Sequence, residues 1–221
     1  MTAPDSGATS TRQAADDAAA VAQVVLRERQ SRDRGWWDRW SDCFAEDSTV
    51  DMSWFTGSGA EFVRQTQLRS TGGVWGRHRL SPPAVQVDRD RAWAELPLGI
   101  EFHLTIGGVE ANLISCCRSQ YRALRVDATW RIAGITSIYE SDSLTPSVPG
   151  TTLDLDPAVF AAYRPSYRCL AWYLSQTGTD IRSDLLGDDQ PDSVARQYQA
   201  EKAWLHQTSA GPAEPHPLKE Q

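Results

Sequence analysis

The chain has 221 residues, 40% hydrophobic and 23% charged, so one globular domain with extensions is expected and disorder throughout is excluded. Its formal net charge of −7 excludes a sequence-independent nucleic-acid binder, which would need a basic face. No apolar run approaches the roughly 18–20 residues that span a bilayer, and no basic start with an apolar stretch marks a secretory leader, so a cytoplasmic protein with no membrane partner is expected.

Residues 1–12 are small and polar and are predicted to be disordered. From Gln13 the chain is alanine-rich, with Val21, Val24 and Val25 at helical spacing, which predicts a helix over 13–30. Beyond Gly35, Trp37, Trp40 and Phe44 share one face of a short helix. Residues 48–54 read as a short strand, 57–59 as a turn, and 60–68 as a third helix with Phe62 and Leu68 as its apolar contacts. Four long β-like runs follow, over 77–87, 91–106, 109–124 and 129–139. Asp88-Arg89-Asp90, Gly107-Gly108 and Val126-Asp127-Ala128 separate them, and such short connections predict an antiparallel meander. Helices first and a meander second make an α+β domain over 13–143, its helices packed on one face of a curved sheet. Pro146, Pro149 and Gly150 mark a linker, which opens a helical extension over 144–206. Its helices fall at 157–176, interrupted at Pro165, and at 191–206, and the apolar side chains of the first need a surface to dock on. Residues 207–221 read as a disordered tail.

Four histidines are available for proton chemistry: His78, His103, His206 and His216. His206 ends a predicted helix and His216 lies in the tail, which leaves the other two. If the first two β runs form a hairpin about residues 88–90, His78 falls opposite about position 100, near His103. The parity of the second run sets Glu95, Pro97, Glu101 and His103 on one face and Leu96, Leu98, Ile100, Phe102 and Leu104 on the other. Two arrangements fit: the apolar face inward and His103 in solvent, or the polar face lining a pocket and the apolar face meeting another subunit. Asp33 could fix an imidazole tautomer, or pair with Arg32 or Arg34 in a loop. Asn112 could orient a ligand oxygen, or face solvent. Some of the tryptophans, Trp54 among them, could wall an apolar pocket. Cys43, Cys116, Cys117 and Cys169 show no CxxC spacing and no clustering with histidine, so reduced cysteines and no metal site are expected.

The order of these elements, with Asp33-Arg34-Gly35-Trp36-Trp37-Asp38-Arg39-Trp40, Phe44-Ala45-Glu46-Asp47, Glu61-Phe62-Val63 and the closing Trp130-Arg131-Ile132, resembles the SnoaL-like branch of the nuclear-transport-factor-2-like superfamily. The resemblance covers about 13–143. It implies a cone: a bent antiparallel sheet wrapped around N-terminal helices, with an apolar cavity at its wide end. Within the branch the pattern is most similar to the scytalone dehydratases. That likeness implies a catalytic aspartate at Asp33, catalytic histidines at His78 and His103, and a substrate-holding asparagine at Asn112. Glu110 stands where those enzymes have a serine, and Arg32 and Met52 stand where they have two tyrosines.

The reading that follows is a cofactor-independent dehydratase acting on a small, largely apolar hydroxy-carbonyl compound. His78 and His103 would be its acid–base pair, oriented by Asp33, with Asn112, Trp54, Met52, Arg32 and Glu110 around the substrate. An isomerase or cyclase on a steroid- or polyketide-like substrate is the alternative, and a non-catalytic binding or assembly module is another. A homo-oligomer, dimer or trimer, is expected from the fold's habits and the apolar sheet face.

Overall fold

From Ala8 to Arg34 the chain contains neither glycine nor proline, and the long helix this favours is α1, Ser6–Arg34, in the computed structural model, which describes residues 6–70, 76–179 and 181–207. Gly35 ends it at φ +68°, a conformation that favours glycine. Residues 6–12, expected to be disordered, are the first turns of this helix; residues 1–5 and 208–221 lie outside the described residues. The helix also runs beyond the predicted end at Gln30, which places Asp33 in its last turn rather than in a loop.

A short α2, Trp37–Ser41, follows, with Trp40 fully buried. Phe44, expected on that helix, opens β1, Phe44–Met52. β2, Phe55–Ser58, occupies part of the expected turn. Ser58 then caps α3, Gly59–Arg69, its hydroxyl accepting from the Glu61 N–H at 3.2 Å.

The first long β run is two strands, β3 at Arg77–Leu80 and β4 at Ala84–Asp88. Pro82 and Pro83 have no N–H to give the ladder, so pairing lapses there and resumes. Both strands pair with β5, Arg91–Ile106, which pairs in turn with β6, Val109–Val126. β7, Thr129–Pro146, completes the meander and runs through the proline expected to begin the linker. Gly107 and Gly108 turn the β5–β6 hairpin at φ +56° and +82°. Asp127 and Ala128 turn the next hairpin at +46° and +61° without a glycine.

The sheet order is β2-β1-β7-β6-β5-β3, with β4 also on β5. It is mixed rather than wholly antiparallel. β1 lies parallel to β7, and so does β8, Leu186–Gly187. Short connections dictate antiparallel pairing only between consecutive strands, and neither of these is joined to β7 by a hairpin.

α1 touches β3, β4, β5 and β7, so the sheet curls around it. The inward face of the curl carries Ala92, Ala94, Leu96 and Leu98 of β5 with Leu113, Cys117 and Tyr121 of β6, all buried. The apolar face weighed as a subunit contact is thus turned to the chain's own core.

After a 3-10 helix, Pro157–Phe160, α4 spans Arg168–Gln176, so the helix expected from Pro157 forms in earnest only beyond Pro165. α4 packs on β6 and β7. Asp142 of β7 accepts the Leu170 N–H at 2.8 Å, an N-terminal cap supplied from another element. α5, Pro191–Leu205, covers part of the outer face, where Glu201 takes Arg122 at 2.7 Å and Tyr198 donates to Glu95.

Candidate active site

The mouth of the curl holds a cavity of about 370 Å³ bounded by α1, α3, α4 and the inner face of the sheet. Its walls mix apolar and polar surface, the apolar part from Met52, Trp54, Leu98, Ile100, Phe102, Leu170, Tyr173 and Leu174. Polar atoms reach it from Arg29 and Arg32 of α1, His78 of β3, and Ser119, Ser137 and Tyr139 of β6 and β7. A concave chamber with convergent polar groups is the usual form of a small-molecule site, and this one is more polar than most.

Its most distinctive group is a carboxylate–imidazole pair. Asp33 accepts the His78 ring at Nδ1 through Oδ1, 2.7 Å, and the His78 backbone N–H through Oδ2, also 2.7 Å. The His78 side chain is only 4% exposed. With Nδ1–H given to the carboxylate, Nε2 is the ring atom left for a ligand. Arg32 donates to Asp33 Oδ1 at 3.0 Å and to the Gly76 carbonyl at 3.2 Å, and its Nη1 lies 3.5 Å from His78 Nδ1. Burial and then the Arg32 charge lower the His78 pKa to about 4, against the pull of Asp33, so the ring is neutral at neutral pH. Burial on its own would raise Asp33; the hydrogen bond from His78 and the neighbouring charges outweigh it and hold the carboxyl at about 2. The pair at neutral pH is therefore a carboxylate and a neutral imidazole.

A second buried pair anchors the floor. Glu28 and Arg29, 0% and 3% exposed, are ion-paired, and Glu28 also accepts from Trp40 Nε1 at 2.8 Å and Tyr121 OH at 3.1 Å. Arg29, Arg32 and Asp33 lie at helical spacing, so one face of α1 supplies the charge on that side of the cavity.

Five residues singled out in the sequence come together here: Asp33, Arg32, His78, Met52 and Trp54. His103, Asn112 and Glu110 do not. His78 pairs with Ile100, and paired residues share a face. His103 is three positions from Ile100, an odd step, so its side chain stands on the opposite, outer face. There it is exposed, and its Nδ1 meets Asn112 Oδ1 of the directly opposed residue at 2.7 Å. Glu110 pairs with Thr105 on that same outer face and is exposed. The expectation that His103, Asn112 and Glu110 share one site with His78 is thus corrected: sheet parity sets these three on the outer face, away from the cavity.

The sequence reading missed Arg29, Thr66, Arg69, Ser119, Ser137 and Tyr139, which also line it. For Arg29 the signal was its place four residues before Asp33 on a helix. Leu170 and Leu174 belong to the apolar face expected to need a docking surface; that surface is β6 and β7, and both residues, with Tyr173, line the cavity. Among the described residues no group of three or more His, Cys, Asp or Glu side chains is placed to hold a metal ion. No described helix is long and apolar enough to cross a membrane.

A model of the SnoaL-like domain matches residues 13–136. Pea pathogenicity protein 2 of Fusarium vanettenii is 25% identical over 181 residues, 77% of each chain. A PEP2-like protein of the same fungus is 23% identical over 183 residues. Among solved structures, one from Novosphingobium aromaticivorans, provisionally assigned as a scytalone dehydratase, superposes with a TM-score of 0.50 at 14% identity, covering 64% of this chain and 99% of its own. A protein of unknown function from Mycobacterium tuberculosis superposes with a TM-score of 0.51 at 19% identity, covering 79% and 97%. At these identities the structures share a fold.

Proposed function

The chain belongs to the SnoaL-like family, with the fold of the NTF2-like proteins, and from that premise we propose that it is an acid–base lyase in which His78 alone carries the proton. Its reaction is elimination of water from a small, largely apolar hydroxy-carbonyl compound. The observation behind this reading is the 2.7 Å contact of Asp33 with His78 Nδ1 at the wall of the cavity.

The chemistry follows from that contact. Asp33 holds Nδ1–H, and the Nε2 lone pair takes a proton from the carbon next to the substrate carbonyl. The imidazolium so formed lies against a carboxylate that is already ionised. Arg32, beside the ring, faces the negative charge that develops on the carbonyl oxygen. The same imidazolium then returns its proton to the β-hydroxyl, the carbon–oxygen bond breaks, and water leaves. No redox step is involved, so the reading calls for no cofactor. General acid–base catalysis of this kind contributes roughly 10²–10⁴-fold.

A single base also suits isomerisation of a β,γ-unsaturated ketone, since one group can take the proton and give it back to another carbon. The two outcomes differ in product mass. The test incubates the protein in deuterium oxide with the aldol of benzaldehyde and acetone and, separately, with a β,γ-unsaturated ketone. Deuterium incorporation is expected, with loss of water from the first compound, or with a product of the second that differs from it only by bond position and deuterium content. His78→Gln should slow it by about 100-fold or more. Ligand binding without exchange or turnover in either would sink the enzyme reading in favour of a binding module.

A further inference from the structure

We propose that the ligand of this cavity carries a carboxylate on its apolar frame, and that Arg69 and Thr66 of α3 hold it; calling that ligand a substrate rests on the acid–base reading above.

Three guanidinium groups border the cavity, from Arg29, Arg32 and Arg69. Two of the charges are matched within the protein, Arg29 by Glu28 and Arg32 by Asp33. The third is not. Arg69 donates to Thr179 Oγ1 at 2.7 Å and lies over the Trp54 ring at 4.6 Å, and both partners are neutral. No carboxylate among the described residues pairs with it. Among the described residues, the rim of the cavity therefore holds a solvent-exposed cation with no carboxylate against it, in a protein whose formal net charge is −7.

Thr66 is an independent sign of a ligand. It lies three residues before Arg69, so both face the cavity from one side of α3. It is only 1% exposed, and its Oγ1 has no hydrogen-bond partner among the described residues. A helical threonine ordinarily satisfies its hydroxyl on a carbonyl one turn back. This one does not, and a buried hydroxyl left unpaired is costly. The hydroxyl is closed over in this structure, and a small shift of the wall would let a ligand oxygen accept its proton while the Arg69 fork takes the charge, the pattern by which carboxylates are recognised. The Trp54 ring beneath the guanidinium offers the adjoining apolar contact.

Naphthoate and its neutral counterpart naphthamide, titrated calorimetrically into the full chain, test this. The wild type should bind naphthoate at least about tenfold more tightly at low salt, and the preference should shrink as salt screens it. Arg69→Gln should abolish the preference while leaving naphthamide affinity within about twofold, which also shows that the variant is folded. Thr66→Val should weaken naphthoate by roughly three- to tenfold. Equal affinities in the wild type, no binding of either compound, or a preference that survives Arg69→Gln would overturn the proposal. His78→Gln should keep the preference while losing proton exchange, so failure of this inference and failure of the acid–base reading are told apart.

Discussion

At the scale of single residues, one carboxylate decides what His78 can do. Asp33 holds both the ring and the backbone N–H of that residue, so it sets tautomer and position together. Asp33→Asn should lower turnover by about 100-fold while ligand affinity stays close to wild type, a split read from kcat and KM. His103→Ala and Asn112→Ala, on the outer face, should each leave turnover within about twofold. The pair also makes the fold acid-sensitive. His78 has an ordinary pKa of 6.5 and is lowered to about 4 in the folded chain. Between those values the unfolded chain binds more protons. The contribution is complete above 6.5 and is lost as pH falls through about 4. It is on the order of 3 kcal/mol. Asp33, lowered from 3.8 to about 2, adds a further loss at still lower pH. Denaturation midpoints measured between neutral and mildly acid pH should fall in the wild type and flatten in His78→Gln. Turn position put His78 opposite about position 100 but could not fix its face: the ladder from the turn, Ala84 opposite Glu95, shifts by one residue across Pro82 and Pro83 before His78 meets Ile100. Sheet parity separates His103 from His78, but the family likeness drew both into one site. Thr66 and Arg69 were illegible because α3 was read by its apolar residues, and one of those, Leu68, is 59% exposed.

At the scale of elements, the departures from expectation have local causes. Two prolines split one expected strand, and a third delays α4. Helix length was underestimated because the first turns of α1 are polar, yet they contain no strong breaker beyond Gly7. The turn at Asp127-Ala128 was placed correctly as a connection, but its cost could not be read. Ala128 sits at φ +61°, where an alanine is disfavoured by about 1–2 kcal/mol. Ala128→Gly should therefore stabilise the protein by roughly 0.5–1 kcal/mol after the greater flexibility of glycine in the unfolded chain is counted, as a higher denaturant midpoint with an unchanged slope. Asp142 presents the opposite case, a side chain that helps hold an element from outside it. Asp142→Ala removes the acceptor of the Leu170 N–H and should cost about 1 kcal/mol. Faster amide exchange confined to α4, with the meander unchanged, is the expected signature.

At the scale of the whole molecule, Glu28 ties together parts distant in the chain. It lies on α1, pairs with Arg29, and accepts from Trp40 of α2 and Tyr121 of β6. Glu28→Ala would strand a buried guanidinium, a change that typically costs about 3–5 kcal/mol. In a domain of this size the melting temperature should drop on the order of 10 °C in a scanning calorimeter. Nothing in the linear pattern singles this residue out, since a glutamate in a helix is ordinarily solvated and only the curl of the sheet encloses it. The α+β layering was legible, because helices followed by a hairpin meander admit few arrangements, while the cone came from the family resemblance. The cavity's closure was not, because it depends on where the last third of the chain returns.

That return has a thermodynamic consequence. The cavity is bounded at one side by α1 and at another by α4 and residues 177–179, so its walls come from chain segments more than a hundred positions apart. A molecule lodged there grips both at once and has nothing to grip when they separate. Its affinity is thereby linked to global unfolding: at a concentration of 100 times Kd it would add about 2.7 kcal/mol to the resistance of the native state. Melting curves taken across a compound library thus register occupancy directly, and the true ligand can be sought without any knowledge of what it becomes.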